Sequence, residues 1–151
     1  MRNRMATKDN LAKMGTHVGS LDCSLCKESL ETNLHIFCEC LVAKDLWTKV
    51  YRWWGIVYGD PKSVDEILKG LMAQAQKKWE KQIRIVVWEA FLVQFWRQRN
   101  NCIFNNIQSK VEEMFVRGQS EAMLWLECRA SKVELDRSLW LNSPNIACKP
   151  V

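Results

Sequence analysis

Apolar side chains recur at helical spacing through most of this chain. Over residues 41–54, Leu46, Trp47, Val50, Trp53 and Trp54 share one face. Residues 75–104 read as one long helix. Its middle is apolar nearly all round (Val86, Val87, Trp88, Phe91, Leu92, Phe95, Trp96), which predicts a central, buried element. Val111, Met114, Phe115, Ala122, Trp125 and Leu126 form a third stripe, in which Gly118 is a mild weak point. Two shorter helices are expected at 8–14, between a Thr7 cap and a Gly15 stop, and at 63–72. Punctuation separates them. Gly59-Asp60-Pro61 marks a turn, and Asn100, Asn101, Asn105 and Asn106 end the long helix. Ser63-Val64-Asp65-Glu66 and Ser109-Lys110-Val111-Glu112 have the spacing of capping boxes. No convincing strand appears, and residues from about 138 onward look irregular. The expected fold is mainly α, divided into a module at 1–54, a helical region at 55–137 and a tail at 138–151.

Composition adds three points. Eight tryptophans supply enough large apolar surface for a real core in 151 residues. Seven cysteines are an odd number, and the N-terminus lacks the apolar region of a signal peptide. A disulfide framework is therefore not expected, and an intracellular location, nuclear or cytoplasmic, is. No apolar run reaches the ~18 residues of a membrane span.

The cysteines are not evenly spread. Cys23, Cys26, His35 and Cys40 read Cys-x2-Cys-x8-His-x4-Cys. Three thiolates and one imidazole complete a tetrahedral zinc shell with no open position, which is the chemistry of a structural site. Spacing alone leaves Cys38 as an alternative to Cys40, with His17 a weaker substitute. Cys102, Cys128 and Cys148 lie outside the pattern and read as structural. The bland account is that the three cysteines are ordinary buried ones that happen to lie close. His35 and Cys40 are five residues apart, and on a continuous α-helix they would point about 140° away from each other. The helix carrying His35, capped by Thr32, must therefore bend or end near Cys38.

These residues sit in a longer pattern: Thr7-Lys8-Asp9-Asn10-Leu11, Cys23, Cys26, Glu31-Thr32, His35-Ile36-Phe37, Cys40 and Leu46-Trp47. It resembles the reverse-transcriptase zinc-binding domain near the C-terminus of plant non-LTR (LINE-type) retrotransposon polyproteins. Ile36 stands where that family usually has Leu, and Met5-Ala6 replaces a common Leu-Pro pair. Trp96-Arg97-Gln98-Arg99-Asn100 with Ile103-Phe104 is similar to a Trp-x-x-Arg-Asn…Phe segment that follows the zinc module there. The resemblance favours Cys40 over Cys38 as fourth ligand. It implies one structural zinc, an upstream reverse-transcriptase domain as partner in the parent polyprotein, and a non-catalytic role in binding RNA or DNA during target-primed reverse transcription.

The net charge of +5 concentrates in residues 61–110, where nine basic residues meet four acidic ones. Lys77, Lys78, Lys81, Arg84, Arg97 and Arg99 are candidate phosphate contacts, with Trp96 as a base-stacking surface; Lys27 and Lys44 border the knuckle. The alternative is the solvated side of an amphipathic helix. Tyr58-Gly59-Asp60 starts like a polymerase metal motif, but Pro61 replaces the second carboxylate that a two-metal site needs. With no catalytic constellation in view, no enzyme activity and no small-molecule substrate are expected. Two rival readings remain. One is a protein-interaction or scaffold module docking through exposed tryptophans, which an exposed Trp53/Trp54 pair would favour; the other is a non-functional transposon remnant.

Overall fold

The computed structural model describes residues 5–130 and 132–151. Its elements begin with α1 (Lys8–Lys13), a π-helical turn (His35–Glu39), α2 (Leu41–Trp53), α3 (Val64–Met72), α4 (Lys78–Phe104) and α5 (Val111–Arg129). They end with β1 (Val133–Leu135), α6 (Arg137–Trp140), α7 (Pro144–Ala147) and β2 (Cys148–Pro150). The mainly α architecture expected from periodicity is what forms.

Local signals set most of the boundaries. The Thr7 side chain accepts from Asn10 N at 3.4 Å and opens α1, and Gly15, at φ +81, follows its end. Ser63 accepts from Glu66 N at 3.1 Å and caps α3, while the Glu66 carboxylate reaches back to Lys62 N at 2.7 Å. The long helix starts at Lys78 rather than at 75. The Glu80 carboxylate takes the backbone N–H groups of Gln76 and Lys77 at 2.8 and 3.0 Å, which fixes the first turn there. Ser109 does not cap α5 as its spacing predicts. Lys110 holds the cap position, and the Ser109 hydroxyl accepts from Arg117 instead, at 3.2 Å.

The core lies where α2, α4 and α5 meet. Trp47, Phe91 and Phe95 are fully buried, with the Trp47 ring 5.5 Å from Phe95 and 6.1 Å from Phe91. The Trp47 indole donates to Phe37 O at 2.8 Å, so this core is stapled to the π-helical turn. Gly118 of α5 is not a weak point but the place of closest approach. A Cβ there would lie 2.3 Å from the Phe91 ring.

Two expectations are corrected. β1 and β2 form an antiparallel pair with Val133 opposite Pro150 and Leu135 opposite Cys148. Three-residue strands are too short to show alternation, which is why none was predicted. The tail is also ordered: Asp136 caps α6 through Ser138 N at 2.9 Å, Pro144 opens α7, and Trp140 is completely buried. One apolar cluster runs from Cys23 to Cys148 and crosses both expected boundaries, at 54/55 and 137/138. Among the described residues, no helix is long and apolar enough to cross a membrane.

Candidate metal centre

Residues 22–30 form a closed knuckle. Asp22 and Leu30 pair as an antiparallel bridge, Cys23 N donates to Ser29 O at 2.7 Å, and Lys27 N donates to Cys23 O at 2.8 Å. Lys27 sits at φ +62, the left-handed conformation that closes the turn after Cys26. This fold brings the Cys23 and Cys26 sulfurs to one side. His35 enters from the other, with its backbone N–H donating to the Thr32 hydroxyl at 3.0 Å.

The five-residue spacing of His35 and Cys40 is resolved by a π-helical turn. Cys40 N donates to His35 O at 2.7 Å, an i→i+5 bond that stacks the two residues over one another instead of splaying them. The chain then leaves the turn at Cys40, which is extended at ψ 138 and caps α2. The Cys40 sulfur therefore lies at a helix N-terminus, where the backbone N–H groups of Val42 and Ala43 favour its thiolate.

All four ligand atoms lie within 4.8 Å of one another. Cys23 Sγ is 4.0 Å from Cys40 Sγ, and Cys26 Sγ is 3.3 Å from His35 Nε2. Zn–S bonds near 2.3 Å in a tetrahedron place sulfurs about 3.8 Å apart, so this cage has the size of a zinc shell. Cys23, His35 and Cys40 are buried and Cys26 half-buried. A hydrogen bond from Cys40 lowers the Cys23 thiol to about 5, against the opposing effect of burial and with help from the Cys26 and Leu25 amides. The same bond, burial and the Cys23 charge raise Cys40.

Cys38 points out of the cage. It donates to Pro61 O at 3.1 Å, and burial raises its pKa. Cys40, and not Cys38, is the sulfur that converges with Cys23, Cys26 and His35. His17 is exposed in the loop after α1.

Glu31 carried no chemical role in the sequence reading, yet it is the hub beside the cluster. Fully buried, it accepts from Arg99 Nε and Nη2 at 3.0 and 2.7 Å, Lys8 N at 3.1 Å, Ser24 N at 3.1 Å and the Ser24 hydroxyl at 2.9 Å. Arg99 Nη2 also donates to Ala6 O at 3.0 Å. One carboxylate therefore joins α1, the knuckle and α4. Burial opposes its ionisation, but the Arg99 guanidinium and the Ser24 and Lys8 donors hold its pKa below the ordinary 4.5.

The basic candidates divide. Arg99 is buried in this ion pair, and Arg84 is buried against Trp54; neither is open to a nucleic-acid backbone, which corrects both assignments. Arg97 is exposed and pairs with Glu121 through both terminal nitrogens, at 3.0 and 3.4 Å. Lys44 pairs with Asp60 at 3.2 Å. Lys27, Lys77, Lys78 and Lys81 are exposed. Lys77, Lys78 and Lys81 sit at the start of α4, whereas the knuckle packs near its end, around Cys102 and Gln108. A helix of 27 residues is about 40 Å long, so the two basic regions do not form one surface. Trp96 is half-buried, with the Arg99 guanidinium 4.9 Å from its ring centroid.

Residues 1–47 match the family model described as zinc-binding in reverse transcriptase. No curated protein and no solved structure matches the chain. The matched segment contains Cys23, Cys26, His35 and Cys40, and over residues 1–47 this chain is similar to the zinc-binding region of reverse transcriptases.

Proposed function

We propose that this chain is a structural-zinc module from the C-terminal region of a reverse transcriptase of the non-LTR retrotransposon type, plant elements included, and that it assists binding of RNA or DNA without catalysing a reaction. The observation that carries this reading is the convergence of three sulfurs and one imidazole inside a segment similar to a reverse-transcriptase zinc-binding family. Cys23, Cys26, His35 and Cys40 would hold one Zn2+. When bound, the ion supplies a crosslink between the knuckle, the π-helical turn and the start of α2. A full set of protein ligands leaves it no position for substrate.

Lys27 and Lys44 border that crosslink and are the proposed phosphate contacts, Lys44 exchanging its Asp60 partner for phosphate. Lys77, Lys78 and Lys81 belong to a separate patch at the other end of α4 and are secondary candidates. Arg97 is committed to Glu121. An exposed Trp53/Trp54 pair would favour the scaffold alternative; Trp54 is 3% exposed and Trp53 is half-buried against Trp140 and Phe115.

The test has two stages. Purified protein should contain one zinc per chain, and Cys26→Ser should lose it together with part of the helical signal. Binding to single-stranded RNA and DNA is then titrated at several salt concentrations. Lys27→Ala and Lys44→Ala should each flatten the log K against log[salt] slope by about 0.7. Absence of zinc in a folded chain would overturn the metal reading. A salt-independent affinity would overturn the nucleic-acid role.

A further inference from the structure

A cavity lies at the other end of α2 from the Cys23, Cys26, His35 and Cys40 cluster. Cys40 caps the start of that helix and Trp54 its end, 14 residues apart and therefore about 20 Å. Beside Trp54 is a cavity of about 280 Å3, walled by Trp79, Glu80 and Arg84 of α4 and by Asn145 and Cys148 of the C-terminal segment.

Arg84 is the unusual member. It is only 5% exposed, and its guanidinium carbon lies over the Trp54 ring, 3.8 Å from the centroid. Nη2 donates to Asn145 Oδ1 at 2.9 Å, and Asn145 Nδ2 in turn donates to Trp54 O at 3.0 Å. This clamp fixes the plane of the guanidinium. Nη1, however, is buried with no hydrogen-bond partner, and so is Trp54 Nε1. Buried polar groups are normally satisfied, and a buried cation is normally paired. The carboxylate on the cavity wall favours the cation through its charge but makes no hydrogen bond to it: Glu80 is turned to the backbone N–H groups of Gln76 and Lys77. Burial pulls Arg84 down to about 10, which still leaves it a cation at neutral pH.

Both unsatisfied atoms are donors, since guanidinium and indole nitrogens accept nothing. What they lack is an acceptor, and the buried positive charge asks for a negative one. The volume falls below the roughly 300–1,000 Å3 of pockets for drug-sized ligands, so it suits one small group. The geometry points to an oxyanion-binding pocket in which Arg84 Nη1 and Trp54 Nε1 hold a phosphate or carboxylate group, with Trp79 as the apolar wall. Arg84 thus receives a small anion that enters the cavity, rather than gripping a nucleic-acid backbone at the surface. The site shares no residue with the metal cluster, and its test is independent of the reading proposed above.

The experiment is a titration of the full chain followed by 1H–15N spectra, with the Trp54 indole resonance assigned through Trp54→Phe. Sodium phosphate and sodium acetate are the two probes, and sodium chloride at matched ionic strength is the blank. Either probe should shift the Trp54 indole N–H saturably, beyond any effect of chloride, and should raise the melting temperature. A response to phosphate alone assigns the site to phosphate-bearing ligands, and a response to acetate alone to carboxylates. Arg84→Gln, checked for folding by circular dichroism, should weaken the apparent Kd at least ten-fold. Asn145→Ala, which releases the Nη2 clamp, should weaken it less, and stands in if Arg84→Gln does not fold. No saturable shift in the wild-type chain, or an unchanged Kd in a folded Arg84→Gln, would overturn the proposal.

Discussion

Glu31 and Arg99 show what single residues contribute here. They stand 68 positions apart, in the two sequence blocks that carry the family resemblance, and form one buried ion pair. Removing one partner strands the other charge, so Arg99→Ala should cost about 3–5 kcal/mol in urea unfolding. The pH dependence follows from the direction of the Glu31 shift. Its folded pKa lies below the ordinary 4.5, so the unfolded state takes up the proton first as pH falls. The stabilisation is complete above about pH 4.5 and is lost as pH falls through the folded value. Glu31→Gln should therefore be less stable than wild type at neutral pH, and the gap should narrow in acid. A stability difference that stays constant from pH 7 to pH 3 would refute this account. Neither residue's partner was legible in the sequence. Arg99 looks like a phosphate contact when read along α4, because a helical pattern does not reveal which distant carboxylate meets it.

At the scale of elements, the contact between α4 and α5 is the tightest test of packing. Gly118→Ala gains about 1 kcal/mol of helix propensity. Against that, the new methyl would lie 2.3 Å from a ring wedged between Trp47 and Phe115. Overpacking of this kind costs about 1–3 kcal/mol, and the ring has no free side to retreat to. The expected net result is a lower urea midpoint with an unchanged m-value; a midpoint at or above wild type would show that the ring repacks. The long helices themselves were readable, since their apolar stripes extend over several turns. The π-helical turn was readable only as a constraint: the His35–Cys40 spacing demands a break in α-geometry, but the pattern does not say which kind.

For the whole molecule, the surprise is the tail. Trp140 is fully buried, donates from its indole to Gln119 O at 2.8 Å, and accepts from the Trp53 indole at its carbonyl at 3.1 Å. Its ring meets Trp53 edge-on at 4.9 Å and Trp54 at 6.1 Å. Trp140→Ala should cost about 3–5 kcal/mol. For a chain of this size that is on the order of 10 °C in Tm by calorimetry. A change within a degree or two would mean that the C-terminal segment contributes little to the core. The same segment supplies Asn145 to the Arg84 clamp, so the C-terminus closes the second pocket as well as the core.

The sequence by itself determined the helical class, most helix boundaries and Cys23, Cys26 and His35 of the candidate metal centre, with Cys38 and Cys40 left as alternatives by spacing. Those features depend on short-range physics: apolar periodicity, side-chain caps and ligand spacing within 18 residues of chain. Tertiary structure alone decided that Cys38 faces Pro61 and not the cage, that Arg84 and Arg99 are interior groups, that Gly118 is a contact point, and that Trp140, Ala147 and Cys148 of the tail are part of the core. Each of these depends on which distant surfaces meet. A local pattern fixes the direction of a side chain on its own element, whereas burial, charge pairing and the fit of one ring against another element arise only when the elements pack.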